Sequence, residues 1–142
     1  FLPSYGPEMR GGTSNCTVVI ADEEIGSPSV SSPDILVVMN KPSFDKFEPK
    51  TAPGGTIFCD STLIDKKSER NDIKAVYIPA TELAEENDLK GFANVIILGN
   101  ILKETGIFTY EDFEHYLVSS IPETKSALIE KNKKALSIGY NY

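Results

Sequence analysis

Near the start of the chain, Tyr5-Gly6-Pro7-Glu8-Met9-Arg10-Gly11-Gly12 combines three glycines and a proline with two opposite charges. Successive glycine amides can form a concave nest for an anion, and an arginine matches the geometry of phosphate or carboxylate. Placed after a parallel strand, such a loop lies at the carboxyl edge of the sheet, where open α/β folds bind ligands. On this reading Gly6, Glu8, Arg10, Gly11 and Gly12 are the candidate binding residues. A structural loop is the competing reading, with Arg10 saturating backbone carbonyls or pairing with Glu8. The spacing meets no fixed phosphate-loop pattern.

Cys59 as nucleophile with His115 as base is a second constellation to weigh. Cys59 falls in a strand-like run and His115 beside Glu114 on a helical stretch, so a buried structural thiol and a solvent-facing imidazole explain both. With two cysteines, no CxxC pair and a single histidine, the chain cannot supply a thiolate or imidazole cage for zinc or an iron–sulfur cluster. Cys16 and Cys59 both lie in or beside apolar strand-like segments, where free buried thiols are expected rather than a disulfide. The acidic run Asp22-Glu23-Glu24 fits a solvated loop.

Alternating strands and helices must position these residues. Asn15 to Ala21, rich in β-branched side chains, predicts a strand, and Asp22 to Pro33 a loop. Asp34 to Asn40 is a continuous apolar run, as expected of a parallel strand buried on both faces. Pro42 opens a short helix with Phe44 and Phe47 on one face. After the break at Pro53-Gly54-Gly55, Thr56 to Asp60 completes a βαβ unit. Ile73 to Ile78 is a further strand, and Thr81 is placed to cap a helix from Glu82 to about Asn87. Gly91 to Thr105 is apolar almost all round, which calls for cover beyond the sheet, with a subunit partner as the candidate, and Gly106 terminates it. Thr109 with Asp112 forms a capping box, and Phe113 and Leu117 mark the buried face of the next helix. Pro122 opens a last helix with Leu128 and Ala135 inward and Gly139 at its end. The predicted fold is a three-layer α/β/α domain with a Rossmann-like, mostly parallel sheet, one domain over residues 1–142.

The bulk properties narrow the partners. A 40% hydrophobic and 25% charged chain of 142 residues fits one globular domain. Its net charge of -7 argues against nucleic acid and anionic membranes, since no basic surplus exists to displace counterions. Phe1-Leu2-Pro3-Ser4-Tyr5 has no signal-peptide pattern, and the apolar run Ala93 to Leu102 is too short to cross a bilayer. A reducing cytoplasm is the expected compartment.

The string SYGPEMRGGTSNCTVVI resembles the hallmark segment of the gamma subunit, or gamma domain, of the pyruvate/2-oxoacid:ferredoxin oxidoreductase family. SPDILVVMNKPSFDKF, PGGTIFCDSTLI and the terminal NKKALSIGY extend the resemblance along the chain, and GPEMRGG is closest to the 2-oxoglutarate or branched-chain (ketoisovalerate) branch. The family's first strand, its Gly-rich turn and its first helix have no counterpart here, so the resemblance implies an N-terminally short domain whose sheet lacks a strand and covering helix. It implies a structural subunit of a complex that converts a 2-oxoacid and coenzyme A to acyl-CoA and carbon dioxide, with electrons passing to ferredoxin. Alpha, beta and delta-type partners would hold thiamine diphosphate and the iron–sulfur clusters, with none bound by this chain. The gamma part would shape the coenzyme A approach through Gly6, Glu8, Arg10, Gly11 and Gly12, and a homodimer contact is a further expectation. A free-standing nucleotide-binding or regulatory α/β domain is the alternative.

Overall fold

A computed structural model describes residues 2–4, 14–27 and 29–142, with side chains from residue 14 onward. The main sheet is parallel, with the order β3 (Ile35–Val38), β4 (Thr56–Asp60), β5 (Lys74–Ile78). Ile35 stands opposite Thr56, and Thr56 opposite Lys74. A separate antiparallel ribbon joins β1 (Leu2–Ser4) to β2 (Asn15–Thr17). The helices are α1 (Lys41–Phe47), α2 (Ala80–Glu86), α3 (Ala93–Thr105), α4 (Tyr110–Ser119) and α5 (Ile129–Asn141).

Side-chain alternation along the strands divides the core into two clusters. Val38, Ile57 and Cys59 face one way and pack with Phe44 of α1 and with Ile64. Phe58 and Ile78 face the other way, into a larger cluster with Ala80 and Ala84 of α2, Ile96 and Ile97 of α3, and Leu136 of α5. These are the three layers expected of the α/β/α arrangement.

Local chemistry explains the element boundaries. Asn40 caps α1, its Oδ1 accepting from Ser43 N at 2.8 Å, and Pro42 occupies the first turn. Gly54 adopts φ +81° in the turn before β4, and its N–H donates to Asp72 O at 2.6 Å. Gly106 terminates α3 in the left-handed conformation, with φ +61°. Thr109 Oγ1 accepts from Asp112 N at 3.2 Å, completing the predicted cap of α4.

Several expectations need correction. The strand read over Asn15 to Ala21 ends at Thr17, because its ladder partner β1 offers three residues; Val18 and Ile20 beyond it are exposed. Cys16, expected in buried surroundings, is exposed on this ribbon. β3 is not buried on both faces: Ile35 and Val37 keep 37% and 42% of their surface, because β3 is an edge strand and the α2–α3–α5 layer packs over β4 and β5. The second face of α3, assigned to a subunit partner, is covered within the chain by α5, whose Ala135 and Leu136 join the same cluster. The last helix begins at Ile129, since Lys125 breaks helical geometry at φ -118°, ψ 21°, and Leu128 is exposed rather than inward.

Gly139 lies inside α5 and does not end it. A Cβ there would come within 1.7 Å of Ile96 O, and a Cβ on Gly99 within 2.1 Å of Leu136 O, so α3 and α5 meet backbone to backbone. No rotamer change relieves a clash with a carbonyl, so one helix must move. Gly139→Ala is expected to destabilise the chain by about 3 kcal/mol, read in thermal unfolding as a Tm lower by about 10 °C. An unchanged Tm would show that the helices do not cross this closely.

Candidate functional site

The carboxyl ends of the parallel strands present Asn40 after β3, Asp60 at the end of β4 and Thr81 just after β5. Asp60 is fully buried. Its Oδ1 accepts from Thr62 N at 3.1 Å and Thr81 N at 3.4 Å, and its Oδ2 accepts from Thr81 Oγ1 at 2.6 Å. Thr62 Oγ1 in turn accepts from Glu82 N at 3.2 Å. A buried carboxylate is costly unless donors surround it, and here they come from the loop after β4 and the first turn of α2. Thr81 therefore does not cap α2 directly as predicted; its hydroxyl donates to Asp60, which receives the helix amide instead.

Beside this edge runs an open groove of about 320 Å³, lined by Met39, Thr81, Glu85, Lys90 and Asn94 with small residues of α2 and α3. Its position is the one at which open parallel sheets accept ligands. Met39 and Ala84 supply an apolar wall, while Lys90 and Glu85 place opposite charges at the rim. A second groove of about 310 Å³ lies between α4 and α5, with Tyr110, Glu114, His115 and Lys133 among its walls. Burial pushes the Tyr110 phenol above its ordinary range, and the adjacent Glu114 carboxylate adds to the effect.

The five residues singled out for binding, Gly6, Glu8, Arg10, Gly11 and Gly12, lie outside the described residues. The strand before them, β1, pairs antiparallel with β2 and is not a strand of the parallel sheet. The strand preceding these residues is therefore not the parallel strand expected from the sequence.

Cys59 and His115 are not brought together. Cys59 is packed under α1 with no exposed surface, and desolvation pushes its thiol up to about 12. His115 lines the exposed groove between α4 and α5. A thiol so raised has essentially no thiolate at neutral pH, so Cys59 is a core residue. Among the described residues no cluster of three His, Cys, Asp or Glu side chains is placed to hold a metal ion, and no helix is long and apolar enough to cross a membrane.

Sequence reasoning missed Asp60, although an aspartate closing the apolar run TIFCD was the available signal. It also missed the groove, whose walls come from residues 39, 81–85 and 90–94 and carry no common spacing.

Fold and edge together define a three-layer α/β domain with an open groove at the carboxyl edge of its parallel sheet. The sequence pattern of the pyruvate ferredoxin/flavodoxin oxidoreductase family (POR) matches residues 1–142, and the chain belongs to that family. It is 39% identical over 139 residues to the 2-oxoglutarate synthase subunit KorC of Methanocaldococcus jannaschii, covering 96% of this chain and 73% of the relative. It is 37% identical over 147 residues to the ketoisovalerate oxidoreductase subunit VorA of Methanothermobacter marburgensis, covering all of this chain and 30% of that relative's length. The crystal structure of a keto/oxoacid ferredoxin oxidoreductase gamma subunit from Geobacter sulfurreducens superposes with a TM-score of 0.77 at 27% identity, over 98% of this chain and 76% of that one.

Two experiments probe the site. Asp60→Ala removes the acceptor shared by Thr62 and Thr81, and is expected to destabilise the chain by about 2 kcal/mol in urea titration. Loss of less than about 0.5 kcal/mol would show that water replaces the carboxylate. Alkylation of Cys59 at neutral pH should be limited by unfolding, so a rate that urea does not accelerate would place the thiol at the surface.

Proposed function

We propose that the chain is the gamma-type part of a 2-oxoacid:ferredoxin oxidoreductase complex and works there without a catalytic metal of its own. The observation that carries this reading is the collinear family match over residues 1–142, supported by relatives named as subunits of 2-oxoglutarate and ketoisovalerate enzymes. The complex joins a 2-oxoacid and coenzyme A into acyl-CoA, releases carbon dioxide and passes the electrons to ferredoxin. Its substrate on this reading is 2-oxoglutarate or a branched-chain 2-oxoacid. Alpha, beta and delta-type parts are its partners, a contact between two copies of the chain belongs to the same proposal, and the compartment is the cytoplasm. Thiamine diphosphate, bound in those partner parts, supplies the carbanion stabilisation that decarboxylation needs, and iron–sulfur clusters there carry the electrons.

Residues 1–142 act as a single domain. Its own contribution is to pack against the partners and shape the approach of coenzyme A. Arg10 would face phosphate oxygens, the amides of Gly6, Gly11 and Gly12 would donate to the same anion, and Glu8 would orient Arg10. Ile35 and Val37 on the uncovered face of β3 offer apolar surface for burial in the assembly.

Affinity purification of the tagged chain from its native host, grown without oxygen, should recover thiamine-binding and ferredoxin-like subunits. The recovered complex should reduce a dye in a 2-oxoacid-dependent manner, and the preferred acid names the branch. A chain recovered alone, which binds nucleotide in equilibrium dialysis, would replace this reading with that of a free-standing nucleotide-binding domain. In the assembled complex Arg10→Ala is expected to raise the KM for coenzyme A roughly tenfold or more, the effect of losing one charge-assisted contact. Unchanged KM and unchanged assembly would remove Arg10 from the site.

A further inference from the structure

We infer that residues 107–128 form a hinged strap that opens as one unit while the rest of the chain stays folded. This inference is independent of the proposed function. Three observations carry it. The first is the distribution of burial: α3 holds six buried residues and α5 three, whereas neither α4 nor the 3-10 turn Glu123–Leu128 holds any. Local stability follows buried apolar contact, so this stretch is held least firmly of the helical part.

The second observation is that the core does not need the strap. α3 and α5 meet directly at Gly99 and Gly139, and their cluster with Phe58 and Ile78 closes without a fully buried residue from 107–128. The strap instead rests against the outside of that cluster. Tyr110, Phe113 and Leu117 are partly buried there, and the Tyr110 ring packs on Tyr140 at 4.8 Å between centroids. The polar ties to α5 include the Lys133–Glu114 ion pair at 3.4 Å, with both side chains partly in water. Partly solvated pairs of this kind hold weakly.

The third observation is that both ends are built as joints. Gly106 takes φ +61° directly after α3, and Lys125 leaves helical geometry just before α5. A chain pivoting at these two points can lift α4 without unwinding either neighbour. Opening uncovers Tyr140 together with Phe113 and Leu117. Tyr140 stays on α5, while Phe113 and Leu117 move with the strap, whose Ile107, Phe108 and Tyr116 are exposed already.

Hydrogen exchange of the complete chain, followed by mass spectrometry without denaturant, tests the inference. Amides of 110–119 are expected to show protection roughly 100-fold lower than those of α3 and α5. Tyr110→Ala should lower protection in 107–128 by about a further tenfold, from loss of the ring contact, and leave α3 and α5 unchanged. Equal protection in α4 and α5 would overturn the strap. So would a Tyr110→Ala effect spread evenly over all three helices, or protection uniformly low across them.

Discussion

Helices α3 and α5 can lie as close as they do because each presents a glycine to the other's backbone: Gly139 sits over the carbonyl of Ile96, and Gly99 over that of Leu136. Much of the architecture depends on this approach. It brings Leu136 and Ala135 into the cluster that backs Phe58 and Ile78 of the sheet, and so turns an all-round apolar helix into a covered one. It also sets Asn100 in the seam, where Nδ2 donates to Gly139 O at 3.3 Å. Because the contact is between main chains, it tolerates no added side-chain volume, and the rest of the helical layer inherits its position from it.

On the opposite side of the sheet, the long connection from β4 to β5 is held by side chains rather than by packing alone. Arg70 grips Asp72 through two nitrogens, at 2.9 and 2.6 Å, and donates its remaining nitrogen to the carbonyls of Glu48 and Thr51. These hydrogen bonds hold the Asp72 carboxyl below the usual carboxylate range. Ser68 adds bonds to Glu48 and to the Tyr77 hydroxyl, which fastens the loop to the 3-10 turn after α1 and to β5. The planar guanidinium suits this task because it can satisfy a carboxylate and two carbonyls at once. Asp60 does the equivalent at the carboxyl edge, tying the loop after β4 to α2.

The proposed place in a larger complex supplies a context for the parts that look unfinished in isolation. A parallel sheet is ordinarily covered on both faces, yet β3 leaves Ile35 and Val37 open, and the β1–β2 ribbon stands apart from the sheet. A part of a larger assembly can carry such surfaces, because the fold need not bury within one chain what a complex buries between chains.

The sequence by itself determined the local elements whose signals are short-range. Pro42 set the start of α1, Gly106 the end of α3, and Thr109 with Asp112 the start of α4, since caps and breakers act over one turn. The runs ILVV, TIFCD and KAVYI were legible as strands, and their alternation with helices as an α/β domain, because β-branched clustering and helical periodicity are properties of the chain itself. The resemblance of SYGPEMRGGTSNCTVVI pointed to the family from the sequence alone. Tertiary structure alone decided what depends on which surfaces meet. It showed Gly139 to be a point of helix contact rather than a helix end, since both uses demand the same missing side chain. It placed β3 at an edge, made α5 the cover of α3, and buried Asp60 among donors from the loop after β4 and the first turn of α2. It also assembled the groove from three separated segments. Each of these depends on partners distant in sequence, and a local pattern carries no record of the distance that folding removes.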